Sequence, residues 1–143
     1  MRLAIVLVVV ILAGIAQADD KTLKPYAGQV VLSPDTPSAN FNELPAFLKA
    51  NYDKSAHYEF MKWEINFVGV LAKPADKVTL VVSDPSAQPP MVLISIELAS
   101  SRQVVIGHFK PTKAAGFAAG KTYAVTLVSG KALVAKAELA LRE

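Results

Sequence analysis

This chain of 143 residues has no cysteine, two histidines (His57 and His108) and one tryptophan, Trp63. With no thiol to form a disulfide, a small domain must be held together by packing alone. The same absence excludes a lipid-modified N-terminal cysteine and leaves little material for a soft-metal site. Charge is also sparse: 19% of residues are Asp, Glu, Lys or Arg, with a net of +3. So small and scattered an excess argues against nucleic acid or an anionic surface as a partner. No N-x-[ST] acceptor occurs, which is compatible with a bacterial origin, and the sequence shows no internal repeat or low-complexity tract.

Long hydrophobic runs are absent except for one. Met1-Arg2 supplies a positive charge, Leu3 to Ile15 is apolar, and Ala16-Gln17-Ala18 places small residues where a signal peptidase reads them, ahead of Asp19-Asp20. The pattern predicts a signal peptide over residues 1–18, cleaved after Ala18, and a single domain over 19–143. A membrane span needs about 20 apolar residues, so no transmembrane span is expected after cleavage. The mature protein is expected in the periplasm or outside the cell. Cleavage removes Arg2, which lowers the net charge to about +2 and leaves enough chain for one core.

From Tyr26 onward, short β-like runs alternate with Pro, Gly, Ser and Asp. Tyr26 to Leu32 is the first. Trp63, Ile65, Phe67, Gly69 and Leu71 then alternate with Lys62, Glu64, Asn66, Val68 and Val70, the period of a strand with one buried face. Lys73-Pro74-Ala75-Asp76 separates this run from Val78, Leu80 and Val82. Val92, Ile94, Ile96 and Leu98 follow, and Val104 to Phe109 is apolar in both phases. Tyr123 to Leu127 and Leu133 to Leu141, joined through Ser129-Gly130, read as a hairpin. About seven strands at this spacing suit a two-sheet sandwich or a small barrel. One stretch, Asn42 to Tyr52, has helical spacing in Leu44, Phe47, Leu48 and Ala50. Asn42 is placed to cap it and Pro45 falls in the first turn, which predicts a short crossover helix near residues 42–52 packed on the core.

Ala115-Gly-Phe-Ala-Ala-Gly120-Lys121-Thr122 fits a relaxed phosphate-loop spacing. A working loop lies between a buried strand and a helix whose first N–H groups face the phosphates. Here Lys110-Pro111-Thr112-Lys113 precedes it and the alternating Tyr123 to Leu127 follows, so no nucleotide and no other cofactor is expected. Lys121→Ala is accordingly expected to do little.

Read forward, Phe117, Gly120, Tyr123, Val125 and Leu127 resemble the sixth-strand entry of fibronectin type III and related immunoglobulin-like domains. Ala119 stands where that family usually has proline, and Lys121 where threonine is common. The resemblance implies a mainly β, antiparallel immunoglobulin-like sandwich in which Tyr123 forms a tyrosine corner, with its hydroxyl bonded to backbone upstream and its ring in the core. It also implies that Trp63 corresponds to the buried core tryptophan. It concerns fold and implies no activity.

Residues that carry chemistry are few. Asp53, Ser55 and His57 supply the residue types of a nucleophilic triad, but adjacency in sequence does not make one and no Gly-x-Ser-x-Gly turn exposes a serine. A metal site would require His57 and His108 to meet with a carboxylate, Met61 or Met91, and no ligand spacing supports it. Asp76 and Asp84 read as solvated carboxylates at loop ends. No catalytic or metal residue is assigned. Tyr58 and Phe60 fall on the phase opposite Trp63, either exposed as anchors for a ligand or buried beneath residues 42–52. The expectation is a non-enzymatic binding or assembly module of the envelope with a protein or glycan partner. The alternative is a small periplasmic hydrolase or metal-binding protein using His57 or His108.

Overall fold

The structure, a computed structural model, describes residues 20–37 and 40–143; the expected signal peptide lies outside them. The protein is mainly β. Six strands, β1 (Gln29–Ser33), β2 (His57–Phe60), β3 (Ile65–Asp84), β4 (Met91–Phe109), β5 (Thr122–Ser129) and β6 (Ala132–Leu141), form one sheet. A helical turn, α1 (Asp20–Leu23), precedes β1, and α2 (Leu44–Asn51) crosses between β1 and β2.

Two long strands set the architecture. Run 63–71, from Ile65 onward, and run 78–82 fall in the two halves of β3, a continuous 20-residue strand, and runs 92–98 and 104–109 fall in the two halves of the 19-residue β4. β3 and β4 pair antiparallel along their length, with register shifts between Val70 and Ala75 and again between Ala75 and Lys77. Pro74 falls within this gap in the ladder, where its missing N–H removes no hydrogen bond. The expected turn at Lys73-Pro74-Ala75-Asp76 is therefore a bulge inside one strand.

On its other side, β3 pairs antiparallel with β1 over its first half and with β5 over its second. β5 pairs with β6 as an antiparallel hairpin through Gly130-Lys131, and β6 meets β1 in parallel at Gln29 and Lys136. These pairings close β1, β3, β5 and β6 into a small barrel. β2 adds in parallel to the end of β6, and β4 flanks the ring beside β3.

The barrel interior collects Val30, Leu32, Phe67, Leu80, Val82, Ile94, Phe109, Tyr123, Leu127 and Leu139. A second cluster lies on the outside of the wall formed by β1 and the adjoining halves of β3 and β4. There Val31, Val68, Val70, Val104 and Ile106 meet Leu23, Leu44 and Leu48 of the helices. This wall is buried on both faces, which explains why 104–109 is apolar in both phases and why Val68 and Val70 are apolar as well. The one-face reading of this strand is corrected accordingly.

α2 buries Leu44 and Leu48 in that cluster, with Phe47 and Tyr52 half-buried beside them. Pro45 sits in its first turn. Asn42 does not cap α2: it lies in a 3-10 turn over Phe41–Glu43 and donates its N–H to Asn40 Oδ1 at 2.9 Å, while the residue before α2, Glu43, makes no side-chain cap bond. Burial of the apolar stripe on the barrel wall is thus the main stabiliser of so short a helix.

Candidate functional site

At the entry to β5, Gly120 adopts φ +85°, a left-handed conformation that favours glycine, and its N–H donates to Leu141 O at 2.7 Å. The chain then runs directly into β5, so no helix N-terminus follows the Gly120-Lys121-Thr122 stretch. Tyr123 is fully buried. Its hydroxyl accepts the Ala118 N–H at 2.8 Å and its ring stacks edge-on against Phe117 at 4.8 Å.

Lys121 is not a free surface lysine. Its Nζ reaches Asp84 Oδ2 at 2.5 Å. The Asp84 Oδ1 accepts the Ser86 hydroxyl at 2.6 Å and the Ser86 N–H at 3.0 Å. These contacts, with the lysine first and Ser86 next, hold the Asp84 carboxyl down at about 2, and Asp84 in turn raises the Lys121 ammonium. Asp84 is buried rather than solvated at a loop end, and the Lys121 ammonium with the two Ser86 donors compensates its charge. Thirty-seven residues separate the pair, and no local pattern announces it.

A second polar cluster sits where β2 meets β6. Asp53 Oδ1 accepts both the Ser55 hydroxyl at 2.7 Å and the Ser55 N–H at 2.9 Å, and these bonds hold its carboxyl below the ordinary value, with the charge of His57 adding to the effect. Ala56, at φ +55°, closes this turn and accepts the Glu138 N–H through its carbonyl at 2.7 Å. His57 is thereby placed opposite Glu138, with Nδ1 at 2.9 Å from its Oε1 and Nε2 at 3.7 Å from Glu59. Arg142 lies 3.5 Å from the same Glu59 carboxylate.

The residues of the imagined triad are therefore divided. Ser55 is spent on Asp53 and His57 on two glutamates, so no serine oxygen is offered to the imidazole. His108 is on β4 opposite Asn66, and β4 shares no pairing with β2. Met61 and Met91 are among the exposed large hydrophobic residues. Among the described residues, no group of three His, Asp or Glu is arranged to hold a metal ion.

Tyr58 and Phe60 are corrected as ligand anchors. They are 8% and 5% exposed and point into the barrel, in register with Leu139 and Leu141. Their hydroxyl and ring environment is internal: Tyr58 Oη accepts the Asp53 N–H at 3.1 Å, and burial raises its phenol. Bends at 61–63 interrupt the alternation, so the phase counted back from Trp63 does not carry across. Trp63 itself precedes β3, half-buried against the core, with Nε1 donating to Arg142 O at 3.0 Å.

Two features of the surface remain. A depression of about 180 Å³ between α1 and the bend of β3 is lined chiefly by Leu23, Ala27, Val70 and Leu71, with Lys24 and Gln103. It is smaller than the several hundred Å³ of a typical cofactor pocket. The other is the outer edge of β4: among the described residues β3 is the only strand paired with it. β4 contains no proline and no lysine, and Met91 and Val92 at its start are exposed. Proline and lysine are among the residues that usually blunt an edge, and their lack leaves the ladder, among the described residues, open to another strand.

What the arrangement defines is a mainly β protein built on a small closed barrel with a helical cover on one wall. Among the described residues no helix is long and apolar enough to cross a membrane. No protein-family model, curated protein or solved structure matches the chain.

Proposed function

We propose that this protein is an exported, non-enzymatic module of the cell envelope, an immunoglobulin-like β-domain that binds or assembles with an envelope partner through the open edge of β4. The observation that carries this reading is the edge itself: a long strand with one neighbour among the described residues, and with neither proline nor lysine, supplies main-chain donors and acceptors to an added strand. A protein partner suits such a ladder better than a glycan. The immunoglobulin-like kinship is supported by the Phe117, Gly120 and Tyr123 corner, in which the tyrosine hydroxyl accepts a backbone N–H five residues upstream. Export is supported by the leader pattern of residues 1–18.

The test uses mature protein beginning at Asp19 as bait in envelope extracts. Retention of a specific envelope protein is expected, and a bait that retains none overturns the binding role. N-terminal sequencing of the exported protein should begin at Asp19; an intact leader on the exported form would overturn the cleavage.

A further inference from the structure

We infer that the partner of the β4 edge is a second copy of this chain, paired antiparallel about Ile96. The inference rests on the assembly reading above and deepens it by naming the occupant. Between its two bulges, β4 runs regularly from Ile94 to Ala99, as Ile-Ser-Ile-Glu-Leu-Ala, opposite Val82 to Lys77 of β3. Leu93 is the extra residue at one end, where the partner of β3 steps from Ile94 to Val92, and a second extra residue lies between Ala99 and Arg102.

Within this run Ile94 and Leu98 are buried in the barrel and Ile96 is only half-covered, while Ser95 and Glu97 face solvent. The strand therefore presents inward apolar side chains and outward polar ones at an edge with no neighbour among the described residues.

Symmetry and side-chain phase restrict how two such edges pair. A twofold axis between two residues would set inward side chains against outward ones, so the axis must pass through a residue. Centring on Glu97 places two carboxylates directly opposite each other. Centring on Ser95 or Ile94 runs into the bulge at Leu93, and centring on Leu98 runs into the bulge beyond Ala99. Ile96 remains. That register sets Ile96 against its counterpart, Ile94 against Leu98 of the other copy, and Ser95 against Glu97 of the other copy, where the serine hydroxyl donates to the carboxylate. It completes the cover of Ile96, brings no like charges opposite each other and uses only the regular part of the strand.

The absence of cysteine makes the register directly testable. Ser95→Cys and Glu97→Cys are single exposed substitutions, each introducing the only thiol in its chain. Directly opposed residues have Cα atoms about 4.5–5.5 Å apart, within the span a disulfide bridges, whereas the diagonal pairs are about 7–8 Å apart. Under mild oxidation, an equimolar mixture of the two variants is expected to form a disulfide-linked heterodimer, and each variant alone is expected to stay uncrosslinked. Absence of the heterodimer, or equal crosslinking of either variant alone, overturns the pairing.

Sedimentation of the unoxidised protein gives a second readout. Ser95→Lys, facing Glu97 of the other copy twice per dimer, should tighten the dimer roughly fivefold, and Ser95→Glu should weaken it roughly fivefold. A monomer at every concentration, or the same direction of change for both variants, overturns the proposal. If an envelope protein is retained by the bait while no heterodimer forms, the second-copy proposal fails and the binding role stands; a heterodimer without any retained partner gives the reverse.

Discussion

Tyr123 shows how a residue legible in sequence acquires a partner through the fold. Its ring joins the core and its hydroxyl accepts the Ala118 N–H across a turn that Gly120 permits. Tyr123→Phe keeps the ring and strands that N–H, so chemical denaturation should show a loss of about 1 kcal/mol or somewhat more. The ion pair of Asp84 with Lys121 had no local signal, since the residues meet only when the end of β3 lies beside the start of β5. Its dependence on pH has a definite sign. The Asp84 carboxyl is held at about 2 in the folded protein against an ordinary 3.8, so the unfolded chain takes up the proton first. The contribution is complete above the ordinary value and is lost as pH falls from about 4 towards 2. Lys121 is raised when folded, so its share is complete below its ordinary value and fades as pH rises through the folded one. Thermal melts across acid pH should show Asp84→Asn flattening the decline between pH 4 and 2; an unchanged slope would mean that other carboxylates dominate it. Lys121→Ala should therefore lower stability measurably, contrary to the expectation for a free lysine.

At the level of elements, alternation located the interiors of most strands and missed how they join. A Pro-containing stretch reads as a break because proline interrupts a ladder, yet Pro74 occupies a gap that the bulged pairing of β3 and β4 leaves open. Tyr58 and Phe60 were assigned by phase across a bend at 61–63, and phase has no meaning where the backbone is not extended. The doubly apolar run at 104–109 was the opposite case: its ambiguity was itself the signal of a wall with a core on each side. Gly107 belongs to this wall. It lies directly opposite Phe67, and a Cβ there would stand 2.9 Å from the ring's Cζ, so the ring uses the space that the glycine leaves. Gly107→Ala should cost about 1–3 kcal/mol in denaturant unfolding, as overpacking does. The loss should shrink when Phe67→Leu is made in the same chain, a non-additivity expected of residues in contact.

Across the whole molecule, β3 and β4 run through both the helix-covered wall and the rest of the barrel, so neither part has a complete set of strands by itself. Unfolding should be a single cooperative transition. Fluorescence of Trp63, bonded to Arg142 near the end of β6, should follow the same denaturant curve as far-UV circular dichroism; two separated midpoints would show the helical cover melting first. The sequence by itself determined what local chemistry can specify: strand periodicity, one short helix with Pro45 in its first turn, a core made without disulfides, and too few catalytic residue types in any recognised spacing. Tertiary structure alone decided which side chains meet across long separations, such as His57 with Glu138 and Lys121 with Asp84. It also decided that Tyr58 and Phe60 turn inward and that, among the described residues, β4 keeps an open edge. The reason is physical: a strand's period tells which residues share a face, whereas burial, pairing and edge exposure depend on the neighbour that lies beside or above that face.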